Sequence, residues 1–386
     1  LRLAISGIEV DGECLVKFHE DSLDGVEPLP VDSKLIEGLA AQLYKSARAK
    51  GDKKLIISGA KSNLQVIQLI AEMCERDGVG FVLDIVNHEM DAVLINNADD
   101  EGLKRLGAEA VSLFDDVGAR VEARGNADPG IVFDKDKLKK YTGFKRPIVD
   151  LLKSGKRHYA VTIIPTEADA DFDGMSYEEY MSLFFEAGDQ PWAEIEAAQA
   201  KLIERLDAGK EGRITNDDGT DITFGIEGQT FANSVVLKNV PGSEVFSSPL
   251  RESANGVIVA KGNFKFDTFP PIKDIRLVLE NGRIKEFSAA EGEETLKMIV
   301  EMDDGKGEGS RFLGELAFGT NPHLRRQFVN PLLVEKVGRS FHVALGSAYS
   351  YTEYDGKPVN LNNGNKSASG IHWDVTTMLG GKVGKI

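Results

Sequence analysis

Apolar residues in the first half of the chain alternate between short continuous runs and stripes at helical spacing. That alternation predicts an α/β domain with a largely parallel sheet. Residues 54–58, a lysine followed by Leu55, Ile56, Ile57 and Ser58, read as a buried strand. Ser62 is placed to cap a following helix in which Leu64, Ile67, Ile70, Ala71 and Cys74 recur on one face, and Gly78 closes it before a strand over residues 79–86. Residues 135–153 predict a helical region interrupted at Pro147, and residues 158–164 the next strand. Ser176 with Glu179 three positions later forms a capping box opening a helix to Ala187, and Pro191 beside Trp192 starts another that runs to about Leu206.

The texture then changes. From Arg213 onward the chain shows short β-like runs, among them residues 221–226, 256–260 and 275–280, broken by Gly, Asn and Pro turns. The expectation is an α/β domain over residues 1–210 and a β-rich α+β domain over residues 211–386, with the catalytic chemistry in the second. A length of 386 residues suits two cores better than one.

Composition narrows the class of function. With 41% hydrophobic and 28% charged residues the chain is an ordinary globular one. No run approaches the length of a membrane span and no basic-then-apolar leader stands at Leu1, which points to the cytoplasm and to no membrane partner. A formal net charge of −16 repels phosphate backbones, so no nucleic acid is expected as a partner. It also leaves open an acidic cavity that attracts a peptide ammonium. The two cysteines, Cys14 and Cys74, form no C-x-x-C pair, so neither a disulfide framework nor a thiolate metal site is expected.

Candidate chemistry concentrates in the second half, which holds three of the six histidines: His323, His342 and His372. In His372-Trp373-Asp374 the first and third residues share one face if the segment is a strand, so an imidazole and a carboxylate converge. Glu244, bounded by Pro241 and Pro249, and Glu315, in the run from Phe312 to Gly319, are acids set among apolar residues. A buried carboxylate is costly unless paired or metal-bound, whereas on a half-buried strand the same acid can face solvent.

Read together, these segments resemble the thermophilic, or M29, family of metalloaminopeptidases. The resemblance rests on Pro241-Gly242-Ser243-Glu244-Val245-Phe246, on Gly314-Glu315-Leu316-Ala317, on His342 through Tyr349 and on Ile371-His372-Trp373-Asp374, and it extends from about Ile164 to the C-terminus. It implies that Glu244, Glu315, His342, His372 and Asp374 ligate two divalent cations, with one carboxylate shared. Zinc, cobalt and manganese are all admissible. It implies catalytic roles for Glu315 and Tyr349. A further family acid, a candidate metal ligand, aligns best with Glu335, two residues farther from the histidine than in well-known members. It also implies a homodimer that trims short peptides from the N-terminus, as a leucyl aminopeptidase does. Five N/O ligands exceed what one catalytic zinc takes from protein, while two ions about 3.5–4 Å apart would use them all.

Other readings are weaker. Asp169 to Gly174 opens like a calcium loop, but its twelfth position falls on Tyr180. Gly78-Val79-Gly80 and the glycines of residues 305–309 fit no nucleotide-binding pattern, and no G-x-S-x-G elbow supports a serine triad. Two rivals remain: a mononuclear non-haem iron dioxygenase of the dihydroxypyridine type, which needs neither Glu244 nor Glu315, and a non-catalytic metal- or peptide-binding module.

Overall fold

A computed structural model describes residues 29–47, 53–125, 131–153, 157–266, 269–305, 307–365 and 368–380. Cys14 lies outside the described residues, and Cys74 is buried as a free thiol whose pKa burial pushes up to about 12. No described helix is long and apolar enough to cross a membrane.

The first unit carries the expected parallel sheet. Its strands are β1 (Lys54–Ala60), β2 (Phe81–Val86), β3 (Val117–Arg124) and β4 (His158–Ile163), in the order β2-β1-β3-β4, and all neighbours run parallel. The central β1 is buried from Leu55 to Ala60, as expected of a strand covered on both faces. Helices α1 (Ser33–Ala47), α2 (Leu64–Asp77), α3 (His88–Asn97) and α4 (Asp100–Ser112) occupy the first half of this unit. Helices α5 (Lys135–Phe144), α6 (Arg146–Lys153), α7 (Glu167–Asp173) and α8 (Tyr177–Gly188) complete it.

Most local expectations hold, with one correction. Helix α2 buries Leu64, Ile67, Ile70, Ala71 and Cys74 and ends at Gly78 in the left-handed region, φ 67°. Ser62, however, is not its cap. A 3₁₀ turn over Lys61–Asn63 intervenes, and Asn63 donates to the Ala123 and Arg124 carbonyls instead of capping. The helical region around Pro147 divides at Lys145, so the proline falls in the first turn of α6, where its missing N–H costs nothing. Ser176 and Glu179 form the capping box of α8. The calcium-like segment is helix α7, closed at its start by a Thr166–Asp169 capping box and at its end by Gly174.

The first unit extends to Asp189 and reclaims Leu237–Val240, while the second comprises Gln190–Val236 and the chain from Pro241. The reclaimed segment hydrogen-bonds along β4: Val161 N–H donates to the Lys238 carbonyl at 2.8 Å, and Val240 N–H to the Val161 carbonyl at 3.0 Å. Helix α9 (Trp192–Asp207) packs with strands of the second unit, so the division falls one helix earlier than residue 210.

Two antiparallel five-stranded sheets build that second unit. One has the order β11-β10-β9-β6-β5, from β5 (Glu211–Thr215), β6 (Asp221–Gly225), β9 (Asn255–Phe264), β10 (Ile272–Glu280) and β11 (Arg283–Glu291). The other has the order β16-β13-β12-β8-β7, from β7 (Ala232–Ser234), β8 (Glu244–Ser247), β12 (Leu313–Gly319), β13 (Ser340–Gly346) and β16 (His372–Met378). Helices α10 (Glu293–Val300) and α11 (Pro331–Lys336) and a short ribbon of β14 (Glu353–Tyr354) and β15 (Lys357–Pro358) complete it. One apolar core joins both sheets: Ile258, Leu277 and Leu279 from the first meet Phe318, Phe341, Val343 and Val375 from the second, with Leu296 and Ile299 of α10.

Candidate metal centre

Period-two alternation in the second sheet fixes which side chains gather. Val245, Leu316, Phe318, Phe341, Val343, Leu345, Trp373 and Val375 point into the core. The intervening positions Glu244, Glu315, His342, His372 and Asp374 therefore occupy the opposite face of four adjacent strands. Registers Ala317↔His342, Ala344↔Asp374 and Gly346↔His372 bring them into neighbouring rows, with Gly319↔Glu244 on the far side. Two glycines permit the close approaches. A Cβ on Gly242 would meet the Val235 carbonyl oxygen at 1.4 Å, and one on Gly314 would meet the Gly346 and Ser347 carbonyls at 2.4 Å. The second contact lies where the β12–β13 register shifts between Leu313 and Glu315.

The side chains converge as two overlapping sets. Glu244, Glu315 and His342 offer ligand atoms within 4.8 Å of one another, as do Glu315, His372 and Asp374, so Glu315 belongs to both. His372 Nε2 lies 2.9 Å from Glu315 Oε2 and 3.8 Å from Asp374 Oδ1, while His342 Nε2 lies 3.5 Å from Glu244 Oε2 and 3.8 Å from Glu315 Oε1. Nδ1 of His372 is 2.7 Å from the Ser347 carbonyl oxygen, and donation there aims Nε2 at the carboxylates. Tyr349 stands against the same imidazole, its hydroxyl 3.3 Å from His372 Nε2, held between Phe246 and a stacked Tyr351.

Burial dominates the electrostatics. Glu315 is 2% exposed and His342 fully enclosed. Burial disfavours the Glu315 carboxylate, but His342 and His372 outweigh it and hold its pKa down at about 2. Burial likewise disfavours both imidazolium ions, yet the surrounding carboxylates win and raise His342 to about 9 and His372 to about 10. Asp374 is driven well above the carboxylate range by burial, only partly relieved by His372. Burial also raises Glu244, to about 7, against the pull of Lys336.

A cation fits these donors. Glu244 Oε2, Asp374 Oδ1 and both ring nitrogens of His342 are buried and lack hydrogen-bond partners, each at a cost of about 1–3 kcal/mol if left so. Oxygen and imidazole nitrogen without thiolate suit a divalent ion of borderline or hard character.

Glu335 falls outside both sets. Its neighbour Lys336, which the sequence reading did not single out, is buried in the cluster with Nζ 2.7 Å from Glu244 Oε1 and 2.5 Å from Glu335 Oε2. The one signal for it is a lysine in the apolar run Leu332 to Val337. A cavity of about 340 Å³, lined by Phe264, Phe266, Phe328, Val334 and Trp373, borders Glu335, His372 and Asp374. His323 is in neither ligand set.

Residues 35–383 match the sequence profile of the thermophilic metalloprotease (M29) family. The chain belongs to this family. Aminopeptidase AmpS of Bacillus subtilis (strain 168) is 34% identical over 128 residues, a stretch covering 32% of this chain and 30% of that protein. The chain thus spans about a third of the length of the first of these curated relatives, whereas its match to aminopeptidase T of Thermus thermophilus, 24% identical, covers 83% of this chain and 87% of that one. In structure, AmpT of Thermus thermophilus superposes with a TM-score of 0.70 at 21% identity over 90% of this chain and 93% of that one. A 2,5-dihydroxypyridine dioxygenase of Pseudomonas putida KT2440 gives 0.52 at 11% identity over the same shares. Both likenesses establish the M29 member's fold as theirs, a parallel-sheet unit with an antiparallel one.

Proposed function

We propose that this M29 protein is a metal-dependent aminopeptidase that hydrolyses N-terminal residues from short peptides, using two divalent cations held by Glu244, Glu315, His342, His372 and Asp374. The observation that carries this reading is the sharing of Glu315 between two ligand sets, because one carboxylate serving both is what a paired site requires. Bound there, zinc, cobalt or manganese would lower the pKa of a water and polarise the scissile carbonyl. The remaining work falls to the chain itself. Glu315, its carboxylate held ionised, belongs to both sets and faces Nε2 of His372, whose ring the Ser347 carbonyl orients through Nδ1. Tyr349, kept protonated by burial and by Glu315, offers a hydroxyl to the oxyanion of the tetrahedral intermediate. The cavity beside His372 and Asp374, with Phe264, Phe266, Phe328 and Trp373 on its wall together with Asn263, Lys265 and Glu335, accepts the substrate's side chain. A homodimer enclosing this site and a cytoplasmic setting accompany the reading through the family resemblance.

The test is hydrolysis of leucyl-p-nitroanilide and of tripeptides, with and without a blocked N-terminus, alongside elemental analysis. Activity on free N-termini only, abolished by chelation and restored by divalent ions at two per chain, is expected. One bound iron with oxygen consumption on a dihydroxypyridine would move the assignment to the dioxygenase that shares the fold. Two bound ions without hydrolysis would move it to a binding module.

A further inference from the structure

The strongest feature not used above is Lys336, a buried ammonium among the ligands themselves. Helix α11 places it firmly. Asn330 Oδ1 caps the Leu332 and Leu333 N–H groups, the Val334 carbonyl accepts from Thr376 Oγ1 at 3.0 Å, and the Lys336 carbonyl accepts from Asn321 N–H at 3.0 Å. Its Nζ then donates to one oxygen of Glu244 and one of Glu335. The two partners differ. Glu244 is in a ligand set and turns its other oxygen, Oε2, toward His342; Glu335 is in neither set and borders the cavity.

We infer that Lys336 is a positioning residue that clamps Glu335 away from the metal ligands and limits Glu244 to a single ligating oxygen, leaving Glu335 at the cavity wall to take a proton from the attacking water and hand it to the leaving amine. The physical reason is competition between cations. A carboxylate as near the cluster as Glu335 would be drawn to a divalent ion unless another positive charge held it, and an ammonium does so without opening coordination positions. One Lys336 donor fixes Oε2 of Glu335, and the side chain remains 20% exposed, which suits a group that exchanges protons with substrate. Sharing one ammonium also ties the orientation of Glu335 to that of Glu244, so the proton carrier is set relative to the ligand cluster.

The inference rests on the two-ion reading above, and it predicts opposite changes in metal affinity and in turnover. In Lys336→Met, Glu335 and the second oxygen of Glu244 are free to ligate, so zinc affinity measured by calorimetry rises about tenfold or more while kcat falls by about 10²-fold. In Glu335→Gln, which keeps Lys336 hydrogen-bonded and the fold intact, zinc affinity stays within a few-fold of the parent and kcat falls with little change in KM. Weaker or unchanged zinc binding in a folded Lys336→Met protein overturns the clamp. If that variant does not fold, Glu335→Gln decides alone: an affinity loss of about tenfold or more makes Glu335 a ligand and overturns the inference. Because affinity is read without substrate, a parent that binds zinc but hydrolyses no peptide sinks the peptidase reading and leaves the clamp to be judged on affinity.

Discussion

A half-buried carboxylate in the first unit and an enclosed carboxylate cluster in the second show what separates a structural cluster from a candidate site. In the parallel sheet, Glu122 lies between Arg120 and Arg124, each with a guanidinium nitrogen at 2.9 Å, and this pairing outweighs burial to hold its pKa below the usual carboxylate range. In the antiparallel unit, Glu244, Glu315 and Asp374 on the strands and Glu335 on α11 share two imidazoles and one lysine, and four buried ligand atoms have no hydrogen-bond partner. In the first cluster two guanidinium ions surround one carboxylate, and only Arg120 Nε among its named atoms is buried without a hydrogen-bond partner. The second has carboxylates in excess, balanced either by protons, as the raised pKa values of Asp374 and Glu244 express, or by added cations. Burial alone therefore marks nothing, since β1 is almost as enclosed as β13 and carries no carboxylate. Unpartnered carboxylate oxygens and imidazole nitrogens that converge on one enclosed face do.

That contrast can be broken or sharpened by substitution. The largest effect in this series is expected at Tyr349, where Tyr349→Phe keeps the stack on Tyr351 and removes only the hydroxyl. Turnover of a leucyl anilide should fall by about 10²–10³-fold with zinc content unchanged. Parent-like kcat in that variant would take Tyr349 out of the chemistry.

A second effect, on metal affinity and not on turnover, concerns pH. His342 and His372 have pKa values raised to about 9 and 10, above their unfolded values, so a cation that takes their lone pairs must displace protons at pH 7. Zinc affinity should consequently rise from pH 6 to pH 8, by up to about tenfold per unit for each proton released. Calorimetry in buffers of different ionisation enthalpy reads the proton count, and an affinity independent of pH would contradict the charge arrangement described for the site.

The smallest effect on turnover is expected in the other cluster. Glu122→Gln should leave kcat unchanged and lower stability by about 1–3 kcal/mol, through the lost charge-assisted hydrogen bonds to the two arginines. Because the Glu122 pKa is depressed, its contribution is present above the unfolded carboxylate pKa and fades as pH falls through the folded value. Denaturant melts of parent and variant should thus converge in acid. A catalytic defect in Glu122→Gln would erase the distinction between the clusters.

Much of this was legible in the chain because it depends on periodicity. The α/β half follows from continuous apolar strands and helical stripes, and the alternation in Phe341-His342-Val343 and His372-Trp373-Asp374 already places imidazole and carboxylate on one face. Less legible was whatever depends on long-range pairing. Ser62 is a sound cap by type, but Asn63 is drawn to the β3 carbonyls 60 residues away, so the helix begins at Leu64. Helix α9 joins the second unit through packing that no local pattern records. Lys336 was invisible for the same reason: a lysine on a helix reads as solvent-facing until the register of β8 sets Glu244 beside it.

The shared carboxylate is the centre of the account, and Glu315→Gln tests it most directly, because the change keeps volume while removing the charge that both ligand sets use. The variant and parent should be compared for divalent ions per chain by elemental analysis, for leucyl anilide turnover under saturating metal, and for melting temperature. The account predicts two ions in the parent, fewer in the variant, a fall in turnover of at least about 10²–10⁴-fold and a fold that survives. A folded Glu315→Gln protein that retains two ions and hydrolyses like the parent would contradict it.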